Sequence, residues 1–309
     1  MKKLFLRSIF LSIIGLSFQS IPQVYATEYE EDWIKLVEGN NSESFSDVIE
    51  LRDDGIVAIG YTNSTNLSIP RYGNIDALLI KYNQDGVQEW ITSWGGSGQD
   101  NFSSGVATSD GGFVVTGQTK IANKGTFDIV TIKYNTDGEK EWVQTFGGTG
   151  WDEPDKIIQT KDGGFTVLGT VDAAGLTVGA NQSDYLSCLI KYDSNGTQEW
   201  VSYLGEDGFQ YGEDFIELED GSFIIQGYEE VAPDYEDAYA FLWKVDAKGQ
   251  LIWEKQFGTK NWNTFYKIIK SDDGFVVIGD FTEDAFLNNG NTTDTFLLVA
   301  KFSEEGSLI

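Results

Sequence analysis

One unit is written five times along this chain, and that repetition limits the architectures open to it. A Gly-x-x-x-Trp phrase recurs at Gly86/Trp90, Gly138/Trp142, Gly196/Trp200 and Gly249/Trp253, and Trp33 holds the matching place near the start. Successive tryptophans stand 57, 52, 58 and 53 residues apart. Self-similarity at such a period marks an architecture of stacked supersecondary units. Every copy follows one grammar. A Trp segment ends in Gly or Gly-Gly (Gly95-Gly96, Gly147-Gly148, Gly205, Gly258), and a short loop and an apolar segment follow. Next comes an Asp-Gly turn (Asp54-Gly55, Asp110-Gly111, Asp162-Gly163, Asp220-Gly221, Asp273-Gly274), then a Phe-Val-Val-x-Gly type segment, a variable loop and an Asp. The copy closes on an apolar run ending in Lys-aromatic or a close variant, as in Ala77–Tyr82, Ile129–Tyr134 and Ser187–Tyr192.

Short runs rich in β-branched and aromatic residues, bounded by Gly, Asp and Asn, predict strands. Continuous apolar runs predict burial on both faces, and the Asp-Gly pairs supply the positive φ of tight hairpins. Each copy then yields four short antiparallel strands, set in the second copy near 101–109, 112–119, 127–135 and 139–146. Four-stranded units of about 50 residues between like neighbours describe propeller blades. The expectation is therefore an all-β, five-bladed β-propeller over 27–309, with repeats near 33–89, 90–141, 142–199, 200–252 and 253–309. The last copy stops one residue before its tryptophan, while Asp32–Val37 is a strand without a hairpin partner. Residues 31–38 are expected to supply the outer strand of blade five, closing the ring and pairing a sheet edge.

Composition removes whole classes of chemistry. With no His there is no Ser-His-Asp triad and no imidazole proton shuttle. The single Cys188 leaves no intramolecular disulfide and no CxxC pair. A net charge of -28 argues against nucleic acid and anionic membranes. Lys2, Lys3 and Arg7 precede an apolar stretch from Ser8 to Phe18, and Val24-Tyr25-Ala26 offers a cleavage site. Residues 1–26 are read as a secretory signal peptide, making the product secreted or cell-surface associated, without membrane insertion and monomeric. Loss of that leader takes the charge to -31, since it carries three positive and no negative residues.

The segments Lys133–Trp142 and Lys191–Trp200 resemble the tryptophan-docking motif of quinoprotein-type propellers, and Asp-Gly-Gly-Phe-Val-Val-x-Gly and Phe-Gly-Gly resemble secreted bacterial β-propeller repeats. The resemblance covers about 31–309 and implies fold, not activity. The Asp-to-Gly spacing is one residue shorter than in quinoproteins, and a lone cysteine cannot form the vicinal disulfide of the alcohol dehydrogenases, so no quinone is implied.

Residues shared by all copies belong to the scaffold. The tryptophans are expected to wedge between sheets. Lys81, Lys133, Lys191, Lys244 and Lys301 recur beside Asp76, Asp128, Asp184, Asp237 and Asp294, acids expected to brace loop-to-strand junctions. Turns such as Asn83–Gly86 lack the EF-hand ligand set, so no metal or other cofactor is assigned, although the acidic loops leave calcium open. Function is sought where the copies differ. Trp151, Phe209, Tyr211 and Trp262 lie in Gly- and Asn-rich loops on one face, beside Asp100 and Asp152. Aromatic faces flanked by carboxylates suit a sugar, and plugging of the central channel is the competing role for each ring.

These residues make the candidate binding site of a non-catalytic module for a neutral glycan or a protein ligand. The alternative is a carboxylate-dependent glycoside hydrolase, which needs two acids and no histidine; Asp100, Asp152, Glu153, Asp207, Glu213 and Asp214 are its candidates. A structural spacer in an envelope assembly is the third reading.

Overall fold

The computed structural model describes residues 33–120, 126–173, 185–205, 208–230, 237–258, 262–282 and 295–309. Among them there is no helix, and residues 35–309 form one contact unit. The first sheet runs β1 (Glu43–Glu50), β2 (Ile56–Thr62), β3 (Asp76–Tyr82) and β4 (Gln88–Trp94). The second contains β5 (Asp100–Ala107), β6 (Phe113–Thr119), β7 (Asp128–Tyr134) and β8 (Lys140–Phe146). The third is β9 (Asp152–Gln159), β10 (Phe165–Asp172), β11 (Tyr185–Tyr192) and β12 (Gln198–Leu204); the fourth is β13 (Phe209–Glu217), β14 (Phe223–Glu230), β15 (Ala238–Val245) and β16 (Leu251–Phe257). One parallel pair, Tyr185 with Phe209, joins these two into an eight-stranded sheet. The last sheet has three strands, β17 (Thr264–Ser271), β18 (Gly274–Thr282) and β19 (Thr295–Phe302). Within each unit neighbouring strands run antiparallel, so the fold is all-β and propeller-like.

The units stack face to face on four apolar layers. Ile49, Ile59 and Leu79 of the first meet Phe102, Phe113 and Val115 of the second. Val114 and Ile129 then meet Phe165 and Val167, Leu168 and Leu189 meet Phe215 and Phe223, and Ile224 and Leu242 meet Phe265 and Phe275. Middle strands such as β6 and β7 are buried along their whole length, because a layer lies on either side. This explains why their sequences do not alternate.

The outer-strand tryptophans fix each unit to the next. Trp90 stacks on Phe113 with ring centroids 6.1 Å apart, and its Nε1–H donates to the Thr136 carbonyl at 3.2 Å. Its ring lies flat against Gly138, where an added Cβ would come within 3.2 Å of it and where φ is +77°. Glycine is thus required twice over, by the left-handed backbone and by the ring. Gly196, Gly249 and Gly306 receive Trp142, Trp200 and Trp253 in the same way.

Two local expectations change. At the first Asp-Gly turn it is Asp54, not Gly55, that takes positive φ (60°), because this turn is one residue out of step with Gly111 and Gly163. Residues 33–39 form no strand, and the edge of β19 begins to pair with the chain's own C-terminus: Phe302 bridges Leu308, and the Ile309 amide donates to the Lys301 carbonyl at 3.0 Å. The signal-peptide reading of 1–26 lies outside the described residues.

Candidate functional site

The first strand of every unit carries a β-bulge at one repeat position. The ladder skips a residue between Phe45 and Asp47, Phe102 and Ser104, Pro154 and Lys156, Gly212 and Asp214, and Phe265 and Lys267. The residues left unpaired are Ser46, Ser103, Asp155, Glu213 and Tyr266. A bulge kinks its strand and re-aims a side chain. Copies one and two place a serine there, whereas copies three and four place carboxylates.

Asp155 and Glu213 enter one cleft of about 410 Å³ together with Glu153. Trp151, Tyr185, Tyr211 and Tyr228 form its aromatic walls. The Oδ2 atom of Asp155 is buried with no hydrogen-bond partner among the described residues. Burial, reinforced by the charges of Glu213 and Glu153, pushes its carboxyl well above the usual range. Glu213 is also raised by burial, but Lys267 pulls it down while Asp214 and Glu153 push it up. Glu153 is exposed overall, yet partial desolvation raises its carboxyl as well. Asp155 is raised furthest, and of the three acids only Glu213 has a lysine, Lys267, that favours its charge, an asymmetry of the kind that acid and base chemistry at one pH needs.

The residues singled out from sequence divide. Trp151 and Tyr211 line the cleft. Trp262 stands at its margin, its ring 5.3 Å from that of Tyr228, and Phe209 is half-buried, 5.4 Å from Tyr185. Asp100 and Asp152 are fully buried and turn into the preceding loops. Asp100 accepts from the Gly96 amide at 2.8 Å; Asp152 accepts from Gly148 at 2.9 Å and Asp172 at 3.2 Å. Gln210 and Asn263 occupy their repeat position in the last two copies. Burial raises the Asp152 carboxyl to about 6. Asp214 is also buried and ties three units together, pairing with Lys156 and accepting from the Ile268 amide at 3.3 Å. Asp207 lies outside the described residues.

Asp155, Tyr185 and Tyr228 escape a motif-by-motif reading. The signal that could have found Asp155 is the repeat itself, because aligning the inner strands sets it and Glu213 opposite Ser46 and Ser103. Among the described residues, no three His, Cys, Asp or Glu side chains group closely enough to hold a metal ion.

No family model matches this chain. A jacalin-related lectin 3 of Arabidopsis thaliana is 28% identical over 119 residues, a match spanning 35% of this chain and 19% of that protein. Among solved structures, a thermostable family-43 glycoside hydrolase aligns over 85% of this chain and 91% of its own at 10% identity, with a TM-score of 0.42. A family PL25 ulvan lyase aligns over 85% and 64% at 13% identity (TM-score 0.49). The arabinofuranosidase Arb93A of Fusarium graminearum aligns over 78% and 76% at 10% identity (TM-score 0.47).

The expectation of a non-catalytic binding module is corrected here. What overturns it is the cleft, which supplies what the sequence reading found missing, a set of acids singled out by its setting. Sequence reasoning named Glu153 and Glu213 among the hydrolase candidates but missed Asp155, because it weighed acids by loop position and not by their place at a bulge inside a strand.

Proposed function

We propose that this protein is a carboxylate-dependent glycoside hydrolase whose reacting groups are Asp155 and Glu213. The observation that carries the reading is the exchange of serine for carboxylate at the bulge in the two adjacent units that share a cleft. Asp155, held protonated by burial and by two neighbouring carboxylates, acts as the general acid toward the leaving oxygen. Glu213, whose charge Lys267 favours, is the ionised partner on the sugar or on water. The aromatic walls offer apolar faces to sugar rings, and tyrosine hydroxyls bond their polar rims.

The test is release of reducing sugar from neutral polysaccharides such as arabinan, xylan and β-glucan. Glu213→Gln should lower kcat by about 10²- to 10⁴-fold while leaving substrate bound. A variant with unchanged kcat contradicts the assignment.

The five units are proposed to close as five blades of a ring, with the chain exported by its leader. In the other units the strand after the Gly-turn continues along the last edge, setting Trp90 opposite Lys81. Phe302 and Leu308 begin the same register on β19, and residues 33–37 would continue it with Trp33 opposite Lys301. Exposed apolar side chains on both segments support this: Ile34 and Leu36 are 71% and 80% exposed, and Leu297 and Val299 89% and 72%. Trp33 precedes Gly86 by the same 53 residues that separate Trp253 from Gly306.

A further inference from the structure

The rings around the cleft do not stop at its edge. From Tyr185 of β11 they run to Tyr211 of β13 (6.4 Å between centroids), on to Tyr228 of β14 (5.1 Å) and then to Trp262 ahead of β17 (5.3 Å). The line crosses from the third unit to the fifth, past the carboxylates. At its far end Trp262 is 43% exposed, and Trp151, in the lining of the cleft that holds the carboxylates, is 47% exposed. Trp151 and Trp262 occupy the same repeat position, just before the loop-bracing Asp152 and Asn263, and each bridges the preceding unit, through Phe127 and Ala238. Both platforms are therefore anchored at their backbones while their indoles face solvent. A pocket that closed around one terminal sugar would need neither a line of rings across three units nor a second exposed tryptophan.

The charge of the track is one-sided. Glu153, Asp155 and Glu213 face the cleft, and Glu230 lies at the end of β14, close enough to act on Tyr211 and Tyr228. Lys267 already acts on Glu213, and Lys156 is engaged by Asp214 and by the Phe215 carbonyl at 3.2 Å. A carboxylated or sulfated chain would set its charges against these acids, and no described Lys or Arg lines the cleft to offset them.

We propose that the site, on the hydrolase reading above, takes internal segments of an extended, uncharged polysaccharide, with Trp151 and Trp262 as the outlying sugar platforms. Cleavage is then endo-acting, and binding strengthens with chain length until both tryptophans are covered.

The test uses neutral xylo-, arabino- and gluco-oligosaccharides of two to six units, with oligogalacturonates as the charged series. Wild-type kcat/KM should climb with length in one neutral series and stay at background in the charged one. Trp262→Ala should lower kcat/KM about tenfold on six-unit chains and by less on three-unit chains, with Trp262→Phe restoring most of the loss. Equal loss at every length, or preference for the charged series, overturns the platform assignment while leaving the hydrolase standing. If wild type releases no sugar, the hydrolase reading fails on its own, and calorimetry of the same series on Glu213→Gln still decides the platforms. Length-dependent binding weakened by Trp262→Ala supports them; length-independent or absent binding overturns them.

Discussion

Gly227→Ala probes the link between bulge and chemistry most sharply. Gly227 pairs with Gly212, the residue before the bulged Glu213. A Cβ built on Gly227 overlaps the Tyr211 carbonyl oxygen and stands 2.8 Å from Phe241 Cζ and 2.9 Å from Gly212 Cα. Two of these three atoms are backbone, so no side-chain rotation relieves the contact. Overpacking of this kind costs about 1–3 kcal/mol, and the stiffer unfolded chain returns about 0.4–1 kcal/mol. A net loss of about 1–2 kcal/mol corresponds to a fall in melting midpoint of about 2–8 °C for a unit of this size. To clear the new methyl, the strand carrying Glu213 must retreat by about 1 Å, a displacement that costs an active site on the order of 100-fold.

Gly60→Ala is the matched control. Its Cβ overlaps the Ser44 carbonyl and lies 2.9 Å from Phe45 Cα, ahead of the bulged Ser46. Both variants should lose similar stability in thermal melts, and only Gly227→Ala should lose kcat/KM on the neutral polysaccharide. Full activity in Gly227→Ala, or equal losses in both, would refute the reasoning that the bulge aims a reacting group.

Further outcomes follow from the same geometry. The Asp152 carboxyl rises from 3.8 to about 6 on folding, because burial opposes its charge. The folded state therefore holds this proton more tightly than the unfolded one, and stability falls as pH rises through about 4 to 6; Asp152→Asn, melted at pH 4 and pH 8, should flatten that fall. Burial raises the Glu213 carboxyl and Lys267 opposes the rise, so Lys267→Ala should raise it further and move the acid limb of the kcat/KM profile to higher pH; an unmoved limb contradicts the role given to Glu213. Trp33→Ala should lower the melting midpoint by an amount comparable to Trp253→Ala, since both are assigned the same docking on a turn glycine; an unchanged midpoint counts against ring closure by the N-terminal segment.

Much of the scaffold could be read from the repeat. The strands expected for the second copy match β5 to β8 to within two residues at either end, because Gly and Asp turns punctuate each run. Tryptophan packing was equally readable, since a large ring and a positive-φ glycine recur at linked spacings. The site was harder. A bulge is a property of register between two strands, and nothing local in Asp-Glu-Pro-Asp-Lys announces which acid is left unpaired. Tyr185 and Tyr228 sit in strands that otherwise read as core, and they reach the cleft only because they lie near the strand ends on the loop face. Asp100 and Asp152 looked like ligand groups from their glycine-rich loops, yet those loops are what they hold.

The proposed conversion of an otherwise structural unit into an enzyme rests on two carboxylates at a repeated bulge. Its most direct measurement is sugar release by the double variant Asp155→Ser with Glu213→Ser, which returns both bulges to the residue found in the first two copies. The variant should melt near wild type, because Ser46 and Ser103 sustain the same bulge, and should release no sugar from a polysaccharide that wild type cleaves. Undiminished release from the folded double variant would contradict the account.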